Sequence, residues 1–348
     1  MNVYDFELLV LLIIALISSL KIGNQKTKSI VQVFILSVVC GLRYQETLGS
    51  DFSAYKIIFE NSIYQVNSEF SYWLINYIVR SLTNNFNILL LLIAFIINGC
   101  VVWIVNKYSK MPNLSIIIYF VWGEYFTSFN ISRQFIAISL YWISIHYLLS
   151  KKNKKALALN ILAITFHKSS IIIIIITYFI IFISKNINKR SLIFILLIIN
   201  FTYFLEPSIR NIVCKFIYGK YITSNFEYGT SFMLYIFELV FIVFIILNLD
   251  YDFKRYNNFE KFLITMIIPS FLFVILSMRM VLYARLAIYF CLYKIILITN
   301  LIIYKDNKKV KILILYIFII AIILYFYLHT RNDISVYKNY INDYINII

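Results

Sequence analysis

NISRQFIAISLYWISIHYLLSKKNKKALALNILAITFHKSS, residues 130–170, sets two apolar runs of helical length on either side of a lysine-dense turn. A hydrocarbon layer of about 30 Å takes roughly 20 apolar residues of helix to cross. Two crossings in opposite directions return Arg133, at the start of the first run, and His167, where the second run gives way to a third, to the same side of a membrane. The stretch predicts a membrane hairpin with its polar chemistry gathered at one face, and that reading organises the rest of the chain.

The whole sequence agrees with a membrane setting. Of 348 residues 62% are hydrophobic and 14% charged, with a mean hydropathy of +0.83, whereas soluble domains carry about 25% charged residues. Apolar runs bounded by polar connections predict spans near 4–20, 29–42, 86–105, 114–128, 132–150, 155–167, 169–184, 191–206, 230–249, 261–279, 285–303 and 311–328. The expected fold is all-α: a polytopic bundle of about 12 helices (range roughly 10 to 13), a single multi-pass domain over 1–348, with long outer loops at 43–85 and 207–229. The beginning of the chain, MNVYDFELLV, has Asp5 and Glu7 and no basic residue before its apolar run, so it reads as a retained first helix rather than a signal peptide. Cys40, Cys100, Cys214 and Cys291 show no paired or metal-ligating spacing. Seven glycines and three prolines leave few places to break a helix, which favours a rigid scaffold over one that rocks between two states.

Lysine and arginine are distributed differently. With the N-terminus outside, the inner connections collect 17 of the 23 lysines, including Lys151, Lys152, Lys154 and Lys155, and the positive-inside rule places both termini on the outer face. The net charge of +16 is then mostly topogenic lysine, in reach of anionic headgroups, and nucleic acid is not a partner. Arginine runs the other way: Arg43, Arg80, Arg133, Arg210, Arg279, Arg285 and Arg331 fall outside or at the outer boundary, leaving Arg190 and Arg255 inside. Cations kept where they oppose insertion are usually functional, and the guanidinium fork matches phosphate oxygens; snorkelling to headgroups is the alternative, foremost for Arg80 and Arg210.

Helices that start outside present positive dipole ends to anions. Arg133 and Gln134 open one behind a cap at Asn130 or Ser132, His167 to Ser170 open a second, and Arg285 opens a third. A helix start with Lys168 alongside favours the neutral imidazole, so His167 reads as a general base, with a hydrogen-bonded interfacial histidine as the alternative. In the first outer loop, amphipathic pieces are expected at Phe52–Phe59 and Phe70–Leu82, lying along the interface. Tyr55, Tyr64, Tyr72 and Trp73 there, and Tyr218, Tyr221, Phe226 and Tyr228 in the second loop, read as an interfacial aromatic belt, with sugar stacking as the other use. Asp51 is placed to orient a hydroxyl, to bind a cation or to cap a helix. No cluster has metal-ligand spacing, and no cofactor is called for.

Four motifs then resemble the EpsG family of bacterial polysaccharide polymerases, to which many Wzy-type capsule, exopolysaccharide and O-antigen polymerases belong: GLRYQETLGSDFSAY (41–55), SRQFIAISL (132–140), AITFHKSSIIIII (163–175) and RMVLYARLAIYF (279–290). The resemblance implies a glycosyltransferase-C-like bundle in the cell membrane, acting at the outer face. Its chemistry moves a growing glycan from a polyprenyl (undecaprenyl) pyrophosphate carrier onto the non-reducing sugar of a lipid-linked repeat unit, with flippase and chain-length regulator proteins as partners. Carried over residue by residue, it implies catalytic roles for His167, Asp51 and Arg133, and pyrophosphate binding by Arg43, Arg133, Gln134 and Arg279 or Arg285, without a metal; the arginine asymmetry adds Arg331 to the pyrophosphate-binding set. The family's compact GTD-like turn reads GSD here, Gly49 to Asp51. Three other classes need similar composition: a lipid-linked oligosaccharide flippase, which would hold charge along a mid-membrane cavity; a polyprenyl-phosphate-sugar glycosyltransferase, which would need a better acidic pair than Glu46 and Asp51; and a non-catalytic assembly partner, in which Arg133 and His167 would tolerate replacement.

Overall fold

A computed structural model describes residues 23–41, 51–61, 69–213, 229–230, 232–250 and 252–304. Arg43, Gly49, Ser50, Tyr64, Cys214, Tyr218, Tyr221, Phe226, Tyr228, His329, Arg331 and the expected spans at 4–20 and 311–328 lie outside them. Every regular element among the described residues is helical, and the chain divides into two compact units, Met1–His167 with Asp306–Ile348, and Lys168–Lys305.

In the first unit, α1 (Gln25–Gly41) precedes two short amphipathic helices, α2 (Phe52–Asn61) and α3 (Phe70–Leu82). Phe52, Tyr55 and Phe59 recur at the i, i+3, i+7 spacing of one helical face, and all three are buried. The Phe52 and Phe59 rings meet Phe86 at 5.4 and 5.5 Å between centroids, which seats α2 on the start of α4 (Phe86–Tyr108). Asn85 caps α4 by accepting the Asn87 N–H at 2.9 Å.

The expected span at 114–128 is not one helix. Gly123 stands at φ +86°, a left-handed conformation that a Cβ disfavours, and it separates α5 (Pro112–Val121) from α6 (Glu124–Asn130). Then come α7 (Ser132–Leu149) and α8 (Asn153–Phe166), joined by a turn in which Lys151 adopts φ 58°. These two pack along each other as a hairpin, but neither is among the described helices long and apolar enough to cross a membrane, so the expected pair of crossings is not shown. Ala156 and Ala163, both fully buried, recur on one face of α8 and let the backbones approach closely.

The second unit contains α9 (Ser170–Ser184), α10 (Lys189–Ile199), α11 (Thr202–Val213), α12 (Phe232–Asn248), α13 (Asn258–Thr265), α14 (Ile267–Ser277), α15 (Leu282–Ala287) and α16 (Cys291–Tyr304). Capping boxes at Asn188/Ser191 and Asn257/Glu260 start α10 and α13. Gly229 and Thr230 run against the end of α14: the Thr230 N–H donates to the Ser277 carbonyl at 2.7 Å and the two hydroxyls meet at 2.8 Å. Inside the unit, Lys294 on α16 reaches both oxygens of Glu238 on α12 at 3.1 and 2.9 Å, and Ser270 on α14 donates to the same carboxylate at 3.0 Å. Both charged side chains are under 10% exposed, so the pair replaces water for each partner.

By length and composition, three helices among the described residues can cross a membrane: Phe86–Tyr108, Asn258–Ser277 and Leu282–Leu301. Lys189–Ile199 with Thr202–Ser208, bent by 53°, makes a fourth if taken as one span. This is the helical architecture of a membrane protein.

Candidate functional site

The first unit places Arg133 and His167, 34 residues apart in sequence, on the same carboxylate. Glu69 is the last residue before α3, in extended backbone, and its carbonyl accepts the Trp73 N–H at 3.1 Å. Its Oε1 lies 2.5 Å from His167 Nδ1 and its Oε2 lies 3.0 Å from Arg133 Nη1. The Glu69 side chain is 11% exposed, His167 20% and Arg133 31%. A carboxylate so little hydrated needs partners, and it has two.

Three elements fix these atoms. Arg133 is the second residue of α7. His167 closes α8, with φ −157° and ψ 115°, its N–H bonded to the Ala163 carbonyl at 2.9 Å. The α3 entrance is tied to α8 a second time, by the Ser71 and Thr165 hydroxyls at 2.7 Å. The Arg133 guanidinium also rests on two buried rings, 5.3 Å from the centroid of Tyr55 and 5.7 Å from that of Tyr72, which are themselves 5.5 Å apart. Arg133 Nε is buried, and Nη1 is the nitrogen that meets Glu69. Burial pushes the Tyr55 phenol above its ordinary range; the Arg133 charge pulls it down and Asp51 pushes it further up. With burial dominant, Tyr55 stays a neutral phenol and is no candidate base.

Several expectations change. His167 does not open a helix: the next one begins at Ser170, and the imidazole sits at the C-terminal end of α8 instead, where carbonyls rather than N–H groups are presented. The reason offered for a neutral ring therefore falls away, and Glu69 is its electrostatic neighbour. Asn130 and Ser132 do not cap α7, whose N-cap is Ile131; Asn130 Oδ1 accepts the Asp51 N–H at 3.1 Å, and Ser132 donates to the Ser128 and Phe129 carbonyls at 3.2 Å. Asp51 is the residue before α2, its carbonyl accepting the Tyr55 N–H at 3.0 Å, so Asn130 links the start of α2 to the end of α6. Tyr55 and Tyr72, 1% and 2% exposed, belong neither to an interfacial belt nor to a stacking surface, because both hold Arg133. Gln134 is buried at 2% exposure; one position along a helix turns the side chain about 100° from Arg133.

In the second unit, Arg279 stands in the turn before α15 with its guanidinium 4.1 Å from the Tyr203 ring centroid, a close cation–π contact. Arg285 is the fourth residue of α15, in the first turn of the continuous helix Leu282–Leu301. Arg210 forks onto Glu206 at 2.8 and 2.9 Å, and Arg80, in the first unit, lies over the Phe59 ring; both are engaged within their own units.

Glu69 went unread in the sequence. Its only signal was an acid directly ahead of an aromatic amphipathic helix in the first outer loop, and its partners lie 64 and 98 residues away. Glu238 and Lys294 were also passed over, although charges inside apolar helices are a signal in themselves.

Comparison with curated proteins and with solved structures finds no match. A family model described as EpsG family matches residues 27–345.

Proposed function

The chain belongs to the EpsG family, and from that premise we propose that it polymerises polyprenyl-pyrophosphate-linked oligosaccharide repeat units at the outer face of the bacterial cell membrane. The twelve-span, single-domain, glycosyltransferase-C-like topology with both termini outside is part of this proposal. So are its partners: the lipid-linked oligosaccharides, membrane lipids, and flippase and chain-length regulator proteins. The observation that carries it is one carboxylate, Glu69, holding a guanidinium and an imidazole together. A transfer of this class needs both groups: a fixed positive charge for the departing pyrophosphate and an acceptor for the hydroxyl proton.

In the reaction, the acceptor hydroxyl oxygen bonds to the anomeric carbon of the donor glycan. The bond from that carbon to the pyrophosphate oxygen breaks, the proton passes to His167, and polyprenyl pyrophosphate leaves. Arg133 stabilises the charge that develops on the leaving group, and it is already oriented by two rings and a carboxylate, so little reorganisation opposes that work. Proton removal by a positioned base contributes about 10²- to 10⁴-fold. Asp51 acts on the acceptor hydroxyls from the start of α2. Gln134 holds the first turn of α7. Arg279 and Arg285 of the second unit, with Arg43 and Arg331, bind lipid-linked phosphate.

The test is complementation of a strain deleted for the protein with wild type, Arg133→Ala or His167→Ala, with lipid-linked intermediates sized and located. Single repeat units accumulating on the outer face, at unchanged membrane levels of the variants, are expected. Accumulation on the inner face would make the protein a flippase, and unchanged polymer would return both residues to structural roles.

A further inference from the structure

We infer that Glu69 is a positioning residue that sets the tautomer of His167, fixing the proton on Nδ1 and leaving the Nε2 lone pair as the acceptor for the hydroxyl proton. The inference rests on the polymerase reading for the role of that lone pair, but its geometry stands apart from it. An ionised carboxylate has acceptors only. At 2.5 Å from Glu69 Oε1, Nδ1 must therefore donate, and in a neutral imidazole the other nitrogen is then the acceptor. A free imidazole in water has no such constraint.

The arrangement around Glu69 is suited to this task. Arg133 Nη1, 3.0 Å from Oε2, holds the carboxylate in its ionised, acceptor-only form. The extended backbone at Glu69 and the Trp73 N–H on its carbonyl anchor the main chain, and the Ser71–Thr165 contact fixes α3 against the end of α8 beside the histidine. The ring is thus held by its own backbone on one side and by the carboxylate on the other. With Nδ1 committed to the protein, Nε2 is the nitrogen left to meet a substrate.

An amide at this position reverses the logic. In Glu69→Gln the side-chain NH₂ donates to Nδ1, which moves the ring proton to Nε2 and removes the base. A carboxylate-to-amide change beside a catalytic histidine costs about 10⁴-fold in the serine-protease case, for the same reason.

The experiment uses the full-length protein in nanodiscs, labelled with ¹⁵N at the histidine rings and read at a pH of about 8.5, two units above the ordinary histidine value. Subtraction of the His167→Ala spectrum assigns the signals of His167. Wild type should show a protonated Nδ1 and an unprotonated Nε2, and Glu69→Gln the reverse. In parallel, Glu69→Gln should lower turnover of lipid-linked repeat units by roughly 100-fold or more, with apparent substrate affinity held or improved. A wild-type ring protonated on Nε2 would overturn the inference without any variant, and so would a Gln variant that keeps both the tautomer and the turnover. Wild type with the expected tautomer but no polymerising activity would sink the proposed function instead, leaving the positioning of His167 intact.

Discussion

Replacing Arg133 by lysine separates a fork from a point charge. The ammonium keeps the +1 charge and can stay near Glu69, so the ground-state loss is confined to the contacts with the Tyr55 and Tyr72 rings at 5.3 and 5.7 Å. Those rings are almost fully buried, yet the Arg133 side chain is 31% exposed, so about 1 kcal/mol of folding stability is at stake, within the range for partly desolvated cation–π contacts. The chemical loss is larger. One Nη of Arg133 is held by Glu69, and in the proposed reaction the other meets the leaving pyrophosphate; lysine offers a single mobile donor there. Loss of one preorganised donor to a developing oxyanion costs about 10²- to 10³-fold, or roughly 3–4 kcal/mol. The expected result is a variant that folds, reaches the membrane at wild-type abundance and elongates lipid-linked repeat units about 100- to 1000-fold more slowly. Initial rates of ladder formation from lipid-linked repeat units, with the protein in nanodiscs, measure it directly. Elongation within about threefold of wild type would refute the fork argument, because a point charge would then suffice.

Three further outcomes follow from the described residues. Gly229→Ala would place a Cβ into the Met278 carbonyl oxygen, forcing apart the Thr230–Ser277 bonds; thermal unfolding in detergent should show about 1–3 kcal/mol of destabilisation, and an unchanged melt would contradict the close approach. Lys294→Met strands the buried Glu238 carboxylate and should cost about 3–5 kcal/mol, whereas adding Glu238→Leu should recover most of it; a double variant no more stable than the single one would mean that the pair is not the source of the loss. For the topology, Glu60→Cys and Asn153→Cys, both at exposed positions, should label with an impermeant thiol reagent from outside and inside respectively, and the reverse pattern would remove the arginine-asymmetry argument.

Much of the fold was legible because it is local. The starts of α2 and α3 follow from apolar residues spaced three and four apart, and the α7–α8 hairpin, though not its membrane crossing, follows from two apolar runs flanking Lys151 to Lys155. The break at Gly123 was missed because the apolar run Ile116 to Val121 dominated the reading of 114–128 and hydropathy carries no sign of φ, although the glycine and the acid at Gly123 and Glu124 marked the place. His167 was assigned to the wrong helix end because two apolar runs meet there with only Lys168 and Ser169 between them. Tyr55 could have been read correctly: it shares the 52, 55, 59 stripe that α2 buries, and a residue on that stripe cannot join an exposed belt. The site itself was half legible. Arg133 and His167 announce themselves as polar groups at the ends of apolar runs. Glu69 does not, since its importance depends on a meeting of three segments that no local pattern encodes.

That same carboxylate bears on the choice between an enzyme and a carrier. A flippase needs positive charge available to a pyrophosphate along its mid-membrane path. Lys294, a mid-helix cation among the described residues of the second unit, is held against both oxygens of Glu238, so the pair presents little net charge to an anion. Arg133 and Arg279 instead stand at helix ends, with their guanidinium groups against aromatic rings. At Arg133 the neighbour is an acid, and an acid beside a phosphate site opposes phosphate binding. A site that only binds and releases a pyrophosphate lipid would be better without Glu69. A site that must also take a proton from a sugar hydroxyl has a use for it, because the charge that weakens anion binding is the one that points the imidazole.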